Sequence, residues 1–407
     1  MAALRPDELG PGLESIRAAH RASREIARPT PLLSSATVSE RCGGEVALKA
    51  ECLQRTGSFK LRGALSKLRA LGAGAGSGVV AGSAGNHGQA VAYAARSAKV
   101  PCAVFMPAEA PVSKVEAVRA FGASVHLAGD SVDEAVASAR EHAEREGMAF
   151  VHPFDDRDVI VGQAGVGVEI GEQAERLAQV VVPVGGGGLI SGVALALKQA
   201  DPEIRVVGVQ AAACAPVASG LAGRRFEGPK PTIADGIAVK QPGELTLPLI
   251  EAWVDDLVTV EEDSIAAAMV LLLSRSKLLV EGAGAAALAA LLDGSVTPQP
   301  AGTTVAVLSG GNVDIGLVAS IAAHAETRAG RRLRFFTRVD DRPGALAELL
   351  ALVAEMHANV IAVEHVRDGV RRAVGETGIE LVVETGGPSR GQPLLEALRE
   401  RGYEVES

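Results

Sequence analysis

Val180-Val181-Val182-Pro183-Val184-Gly185-Gly186-Gly187-Gly188-Leu189-Ile190-Ser191-Gly192 carries a β-branched apolar run into four glycines and out into a second apolar period. The run 180–184 reads as a strand buried on both faces, the glycines as a loop, and 190–199 as a helix. The wider stretch 177–197 has no charged residue and mimics a membrane span. Pro183 and the glycines argue against one, because each glycine inside a helix costs about 1 kcal/mol. Glycine also lets successive N–H groups curl onto one anion, and the helix start that follows adds its dipole. No Lys-Ser/Thr pair follows in Walker register, and no GxGxxG with a downstream ribose acid is present. The loop therefore reads as a cup for a compact monophosphate, with a flexible turn as the alternative.

The same alternation runs outward from this stretch. Strands are predicted at 78–81, 102–106, 124–127, 206–209 and 303–308, separated by helical periods. One of these, 131–145, presents Val132, Ala135, Val136 and Ala139 on one face, with Asp130 or Ser131 as its cap. Strand–helix alternation predicts an α/β fold with parallel sheets. The character changes near 327, where Thr-Arg-Ala-Gly-Arg-Arg is polar and basic and reads as a linker at 328–332. Beyond it come strand 333–339, loop 340–344, helix 345–357, strands 360–366 and 378–383, helix 393–400 and a short strand 403–406. That order is βαββαβ, a ferredoxin-like unit. The predicted division is a larger domain at 1–327, with a smaller subdomain at 50–150 inserted, and a second domain at 333–407.

The chain has 407 residues, 47% of them hydrophobic, which suffices for a large core and more than one domain. A formal charge of -9 supplies no basic footprint for nucleic acid. Cys42, Cys52, Cys102 and Cys214 form no CxxC pair, as in a reducing compartment such as the cytoplasm. The opening MAALRPDELGPG lacks the apolar core of a signal peptide. Small-molecule chemistry is the class that remains, with neither a nucleic-acid nor a membrane partner.

Three further runs carry candidate chemistry. Gln54-Arg55-Thr56-Gly57-Ser58-Phe59-Lys60-Leu61-Arg62-Gly63-Ala64 passes from turn residues into a helical stretch at 64–71. A lysine near a helix start is a poor cap, and its amine suits a covalent bond to a phosphate-bearing cofactor; a solvated surface lysine is the bland alternative. Ser83-Ala84-Gly85-Asn86-His87-Gly88 follows a strand and opens a helix at 89–98, so its N–H groups suit a carboxylate. Asn86 has both a donor and an acceptor for a ring oxygen. A plain turn capped by Asn86, with a structural His87, fits this run too. Ser309-Gly310-Gly311-Asn312 ends the strand 303–308, at the carboxyl end where α/β sheets bind ligands. Ser309 can meet a heteroaromatic nitrogen, or the run is only a turn.

Taken in order, SFKLRGA at 58–64, SAGNHGQ at 83–89, PVGGGGLISG at 183–192, TIADGIAV at 232–239 and LSGGNVD at 308–314 resemble the fold-type II pyridoxal-phosphate family. Within it they resemble the threonine ammonia-lyases (threonine dehydratases) and serine racemases, and the match covers nearly all of 15–325. The resemblance implies a tryptophan synthase β-like fold of two open, parallel-rich sheet subdomains with pyridoxal 5'-phosphate as cofactor. It implies Lys60 as the lysine bonded to the cofactor, Phe59 beside the ring and Asn86 at the phenolic oxygen. Gly185, Gly186, Gly187, Gly188 and Leu189 would hold the phosphate, and Ser309 would face the pyridine nitrogen. Ser83, Ala84, Gly85, Asn86 and His87 would bind the substrate carboxylate.

The implied reaction is β-elimination of L-threonine to 2-oxobutanoate and ammonia, and of L-serine to pyruvate. Racemisation, another fold-type II activity and a catalytically dead amino-acid sensor are the rivals. Racemases of the family carry a second serine as a base where Ala84 stands, which favours elimination. A hydroxyl at Ser309 holds no proton on the ring nitrogen, and this too favours elimination over transamination. Metal-binding members place acidic residues after the strand at 206–209. Gln210, Cys214 and Pro216 stand there, so no metal site is expected. Residues 334–407 resemble an ACT domain, with Asp341, Gly344 and Asn359 at effector positions. That implies control by an amino acid such as isoleucine or valine, a place in isoleucine biosynthesis, and a homodimer or homotetramer.

Overall fold

The computed structural model describes residues 10–224, 226–367 and 375–406. Most of the opening stretch read for a signal peptide, residues 1–9, lies outside them. The chain divides into two compact units, Met1–Val313 and Asp314–Ser407.

The first unit holds ten strands: β1 (Leu32–Ser34), β2 (Val46–Ala50), β3 (Val79–Gly82), β4 (Cys102–Met106), β5 (Ser124–Leu127), β6 (Ala149–Phe150), β7 (Leu177–Pro183), β8 (Arg205–Ala211), β9 (Asp256–Val260) and β10 (Thr303–Leu308). They form a six-stranded sheet, β1-β2-β10-β7-β8-β9, and a four-stranded sheet, β5-β4-β3-β6. Every pairing is parallel except β1 with β2. Parallel neighbours need crossovers, and helices supply them on both faces. β7 and β10 are accordingly apolar runs, buried along nearly their whole length. The smaller sheet, spanning 79–150, is inserted between β2 and β7 of the larger one.

The β-branched strands were legible in the sequence, whereas β1, β2, β6 and β9 were not. β2 shows the reason. Its Lys49 is 0% exposed, a place that a pattern of apolar residues does not foresee for a cation. Lys49 Nζ reaches Glu169 Oε2 at 2.6 Å, and Arg62 joins Glu169 and Glu51 at 2.7 and 2.8 Å. Two cations and two carboxylates are thus neutralised in the interior, as buried charges require. Arg62 lies half a turn from Lys60 on the helix Lys60–Leu71, so this cluster anchors the start of that helix.

The helix Val132–Glu146 is capped by Ser131, whose side chain accepts Glu134 N–H. Its buried stripe is Ala135, Ala139 and Ala143. Val132, expected on that face, opens the helix and stays 50% exposed.

In the second unit the helix Ile315–Arg328 precedes β11 (Arg332–Asp340), β12 (Asn359–Val366) and β13 (Glu376–Glu384), in antiparallel order β11-β13-β12. The expected linker is corrected here. Residues 327 and 328 end the helix and Arg332 begins β11, so only a tight turn separates them. The division falls at 313/314 because that helix groups with the C-terminal unit. Phe335, Leu349, Val353, Leu381 and Leu398 form one core from the sheet and the helices Ala345–Glu355 and Pro388–Glu400. The strand expected at 403–406 reduces to a single bridge, in which Phe336 and Glu406 exchange both backbone bonds.

Candidate active site

All four sequence runs follow the carboxyl ends of parallel strands. Register brings two of those ends side by side, because Ala50 of β2 pairs with Leu308 of β10. The chain leaving β2 then meets the chain leaving β10. Ser58 bridges Gly310, and Phe59 N–H donates to Ser309 O at 3.1 Å. Phe59 packs on the cluster containing Val184 and Leu189, beside the tetraglycine loop.

Lys60 Nζ donates to Pro153 O at 2.8 Å, and among the described residues it forms no salt bridge. Burial pushes its amine down to about 8, and Glu281 only partly opposes this. The next residue, Phe154, lies against the tetraglycine loop. A Cβ at Gly186 would stand under 3.0 Å from three carbons of its ring, and one at Gly188 would press on its backbone. The segment 153–154 thus spans from the amine to the loop.

Gly187 takes φ 95, where an L side chain is strained, and Gly188 starts the helix Gly188–Lys198. Among the described residues the N–H groups of 185–189 donate to no protein acceptor. Thr246 and Asp155 brace the loop. Thr246 Oγ1 donates to Gly186 O at 2.6 Å, and the Asp155 carboxylate accepts N–H groups of Glu244, Leu245 and Thr246. His152 Nδ1 accepts from Asp155 N at 2.7 Å, and burial holds the imidazole at about 4. Sequence reading missed Pro153, Phe154, Asp155 and Thr246. None of the four carries a local mark of a ligand site.

The helix after β3 begins at Asn86, whose side chain does not cap it. Asn86 Nδ2 instead donates to Glu281 Oε1 at 2.7 Å, and its Oδ1 accepts from Asn312 Nδ2 at 2.7 Å. Glu281 was not anticipated either. It is 5% exposed, and burial together with Asp235 raises its carboxyl to about 7. Ser83 Oγ accepts Gly85 N–H at 3.1 Å, which shapes the loop. His87 is buried, bonded at Nε2 to Val151 O at 2.8 Å and held near 3 by burial. Its imidazole is therefore committed to the sheet, and only its backbone remains for the loop. Ser309 is buried at 4% exposure, and among the described residues its hydroxyl makes no hydrogen bond.

Gln210 bonds Val184 O and Ala218 N, and Cys214 bonds Val239 O. Among the described residues no three His, Cys, Asp or Glu side chains gather as a metal set. No helix of the described residues is long and apolar enough to cross a membrane.

In the second unit Asp341 accepts both Arg367 guanidinium nitrogens at 3.1 Å, and Gly344 takes φ 96 just before the helix Ala345–Glu355. Asn359 is elsewhere. It pairs with Glu384, whereas Asp340 pairs with Glu376, so about 26 Å of strand separates the two ends. The three expected effector residues do not converge within one chain.

A pyridoxal-phosphate enzyme is the class that this arrangement defines. Residues 24–310 match the family described as pyridoxal-phosphate dependent enzyme, and residues 334–402 match the ACT domain. The chain belongs to that enzyme family and carries a C-terminal ACT domain. It is 46% identical to an L-threonine ammonia-lyase of Thermotoga maritima, across 97% of this chain and 98% of that protein. It is 44% identical to one of Geobacter sulfurreducens, across 94% and 96%. Among solved structures, a threonine deaminase of T.th. superposes with a TM-score of 0.71 at 42% identity, over 75% of this chain and 99% of that one. Maize serine racemase gives 0.73 at 34%, over 78% and 99%.

The residues present fit the cofactor. N–H groups of 185–189 with no acceptor among the described residues, on a loop that its neighbours pack too closely for side chains, suit a phosphate. A buried amine with no carboxylate partner suits an aldehyde, and an unpartnered hydroxyl at Ser309 suits a ring nitrogen.

Proposed function

We propose that this chain deaminates L-threonine to 2-oxobutanoate and ammonia, and L-serine to pyruvate, under control of an amino acid bound to its ACT domain. The observation that supports the reading is the short chain of contacts from Ser309 through Phe59 and Lys60 to the segment 153–154 and the tetraglycine loop. The near full-length likeness to two threonine ammonia-lyases supports this substrate class.

Bound pyridoxal phosphate supplies an electron-withdrawing ring that acidifies the Cα–H of an attached amino acid. Gly185 to Leu189 would hold its phosphate through backbone N–H groups, and Ser309 would meet its ring nitrogen. Lys60 is the base. Its depressed basicity leaves a neutral fraction near pH 7 that an ordinary lysine lacks, and Pro153 O fixes the position of Nζ. Nζ takes the proton from Cα. The N–H groups of 83–87 hold the substrate carboxylate, which fixes the Cα–H toward that amine. Ala84 offers no second proton-transfer group on this loop, and this supports elimination over racemisation.

The effector, a branched-chain amino acid such as isoleucine, binds at the turn Asp341–Gly344. Asn359 completes that site from a second copy, since the sheet places it far from the turn of its own chain. The assembly is a homodimer or homotetramer in the cytoplasm, serving isoleucine biosynthesis.

The test is formation of 2-oxobutanoate from L-threonine against D-serine from L-serine, with and without isoleucine. Oxo acid from the wild type, and an isoleucine response lost in Asp341→Ala, are expected. A cofactor-loaded chain that makes D-serine and no oxo acid overturns the reading.

A further inference from the structure

Asn312 decides what Asn86 presents. Thr56 O can only accept, so it takes one N–H of Asn312 Nδ2 at 2.8 Å. The other N–H of the same nitrogen reaches Asn86 Oδ1 at 2.7 Å. Asn86 must therefore accept on its oxygen and direct its amide nitrogen to Glu281 Oε1. Turning Asn86 over would set its carbonyl against a carboxyl oxygen and its NH2 against the NH2 of Asn312. One backbone carbonyl thus fixes the polarity of the whole relay. Two hydrogens sit on Asn86 Nδ2. One goes to Glu281, and the other has no protein acceptor among the described residues.

Glycines clamp the relay at both ends. A Cβ at Gly310 would collide with Glu281 Oε1, and one at Gly57, which takes φ +73, would collide with the amide of Asn312. The four parts come from residues 56–57, 86, 281 and 310–312, and Glu281 lies near enough to Lys60 for their charges to interact.

We propose that Asn312 and Glu281 are positioning residues that lock Asn86 as a hydrogen-bond donor to the cofactor's ring oxygen, so that the site holds that oxygen as an anion. The proposal rests on the reading that this cleft binds pyridoxal phosphate. The charged groups around Glu281 are Asp235, Lys114 and Lys60. Whether Glu281 is ionised or neutral, it retains an oxygen that accepts from Asn86, so the lock operates in both states.

The test compares holoenzymes of the wild type, Asn312→Leu, Glu281→Leu and Glu281→Gln. The readouts are the pH midpoint of the cofactor's visible absorbance transition, cofactor retention in dialysis, kcat and KM. Thermal melting of each protein separates misfolding from a local effect. Both leucine variants should raise the spectral midpoint by about one pH unit and lower kcat roughly tenfold at unchanged KM, the worth of one lost hydrogen bond. Glu281→Gln keeps an acceptor for Asn86 and should rescue both. Folded leucine variants with the wild-type midpoint would overturn the proposal, as would a Glu281→Gln protein as impaired as Glu281→Leu. A wild-type chain that takes up no pyridoxal phosphate would overturn the functional reading as well. A wild type that loads and turns over beside silent variants would overturn only this inference.

Discussion

Replacing Gly186 by alanine adds one methyl group to the cradle. That carbon would stand under 3.0 Å from Cδ2, Cε2 and Cζ of Phe154, where carbon pairs ordinarily rest at about 3.5 Å or more. The ring is flanked by the His152 imidazole, with centroids 4.8 Å apart, and its backbone is held. Its own Cα and carbonyl abut Gly188, and its N–H leans on His152 Nδ1 at 3.4 Å. Overpacking of this kind costs about 1 to 3 kcal/mol. Spent on displacing the loop, that energy weakens cofactor binding by roughly five- to a hundred-and-fifty-fold. The assay is a titration of the cofactor-free chain with pyridoxal phosphate, followed by absorbance, with melting temperature recorded in parallel. Gly171→Ala is the matched control. It sits in the helix Gly165–Gln173, its Cβ meets only Leu197 Cδ2 at an ordinary 3.5 Å, and it should gain up to about 1 kcal/mol of stability. A Gly186→Ala protein that binds the cofactor as tightly as wild type would refute the placement of the phosphate.

Two further outcomes follow from the buried charges. Burial alone would raise the Glu169 carboxyl, but its bonds from Arg62 and Lys49 outweigh that and hold it at about 2 against an ordinary 4.5. That difference amounts to about 3 kcal/mol, so Glu169→Gln should lower denaturant stability by about 3 kcal/mol at neutral pH. The folded value lies below the unfolded one. The deficit should therefore be whole above pH 4.5 and fade as pH falls toward 2; a difference that persists unchanged in acid contradicts it. Lys60, held near 8 by burial, is a neutral nucleophile above that pH. The rate at which the cofactor-free chain takes up pyridoxal phosphate should climb with pH and level off above about 8, and a rate still rising well beyond about 9 speaks against that amine.

The sequence by itself determined whatever is local. β7, its four glycines and the helix that follows are one contiguous stretch whose composition dictates strand, turn and helix, and the runs that carry Lys60, Asn86 and Ser309 are equally short. Sequence periodicity likewise set the second unit's order of strands and helices, though it misplaced the boundary, because Ile315–Arg328 is an ordinary helix until its packing partner is known. What only tertiary structure decided is each pairing across distance. Lys49 is tolerable in a covered strand because Glu169 stands 120 residues away in the chain and 2.6 Å away in space. Asn86 acts as a donor because Asn312 and Glu281, 226 and 195 residues distant, close on it. Asn359 is separated from Asp341 because the antiparallel register of β13 sends them to opposite ends. Backbone preference acts over a few residues, whereas burial of a charge or the direction of an amide depends on partners that only folding supplies.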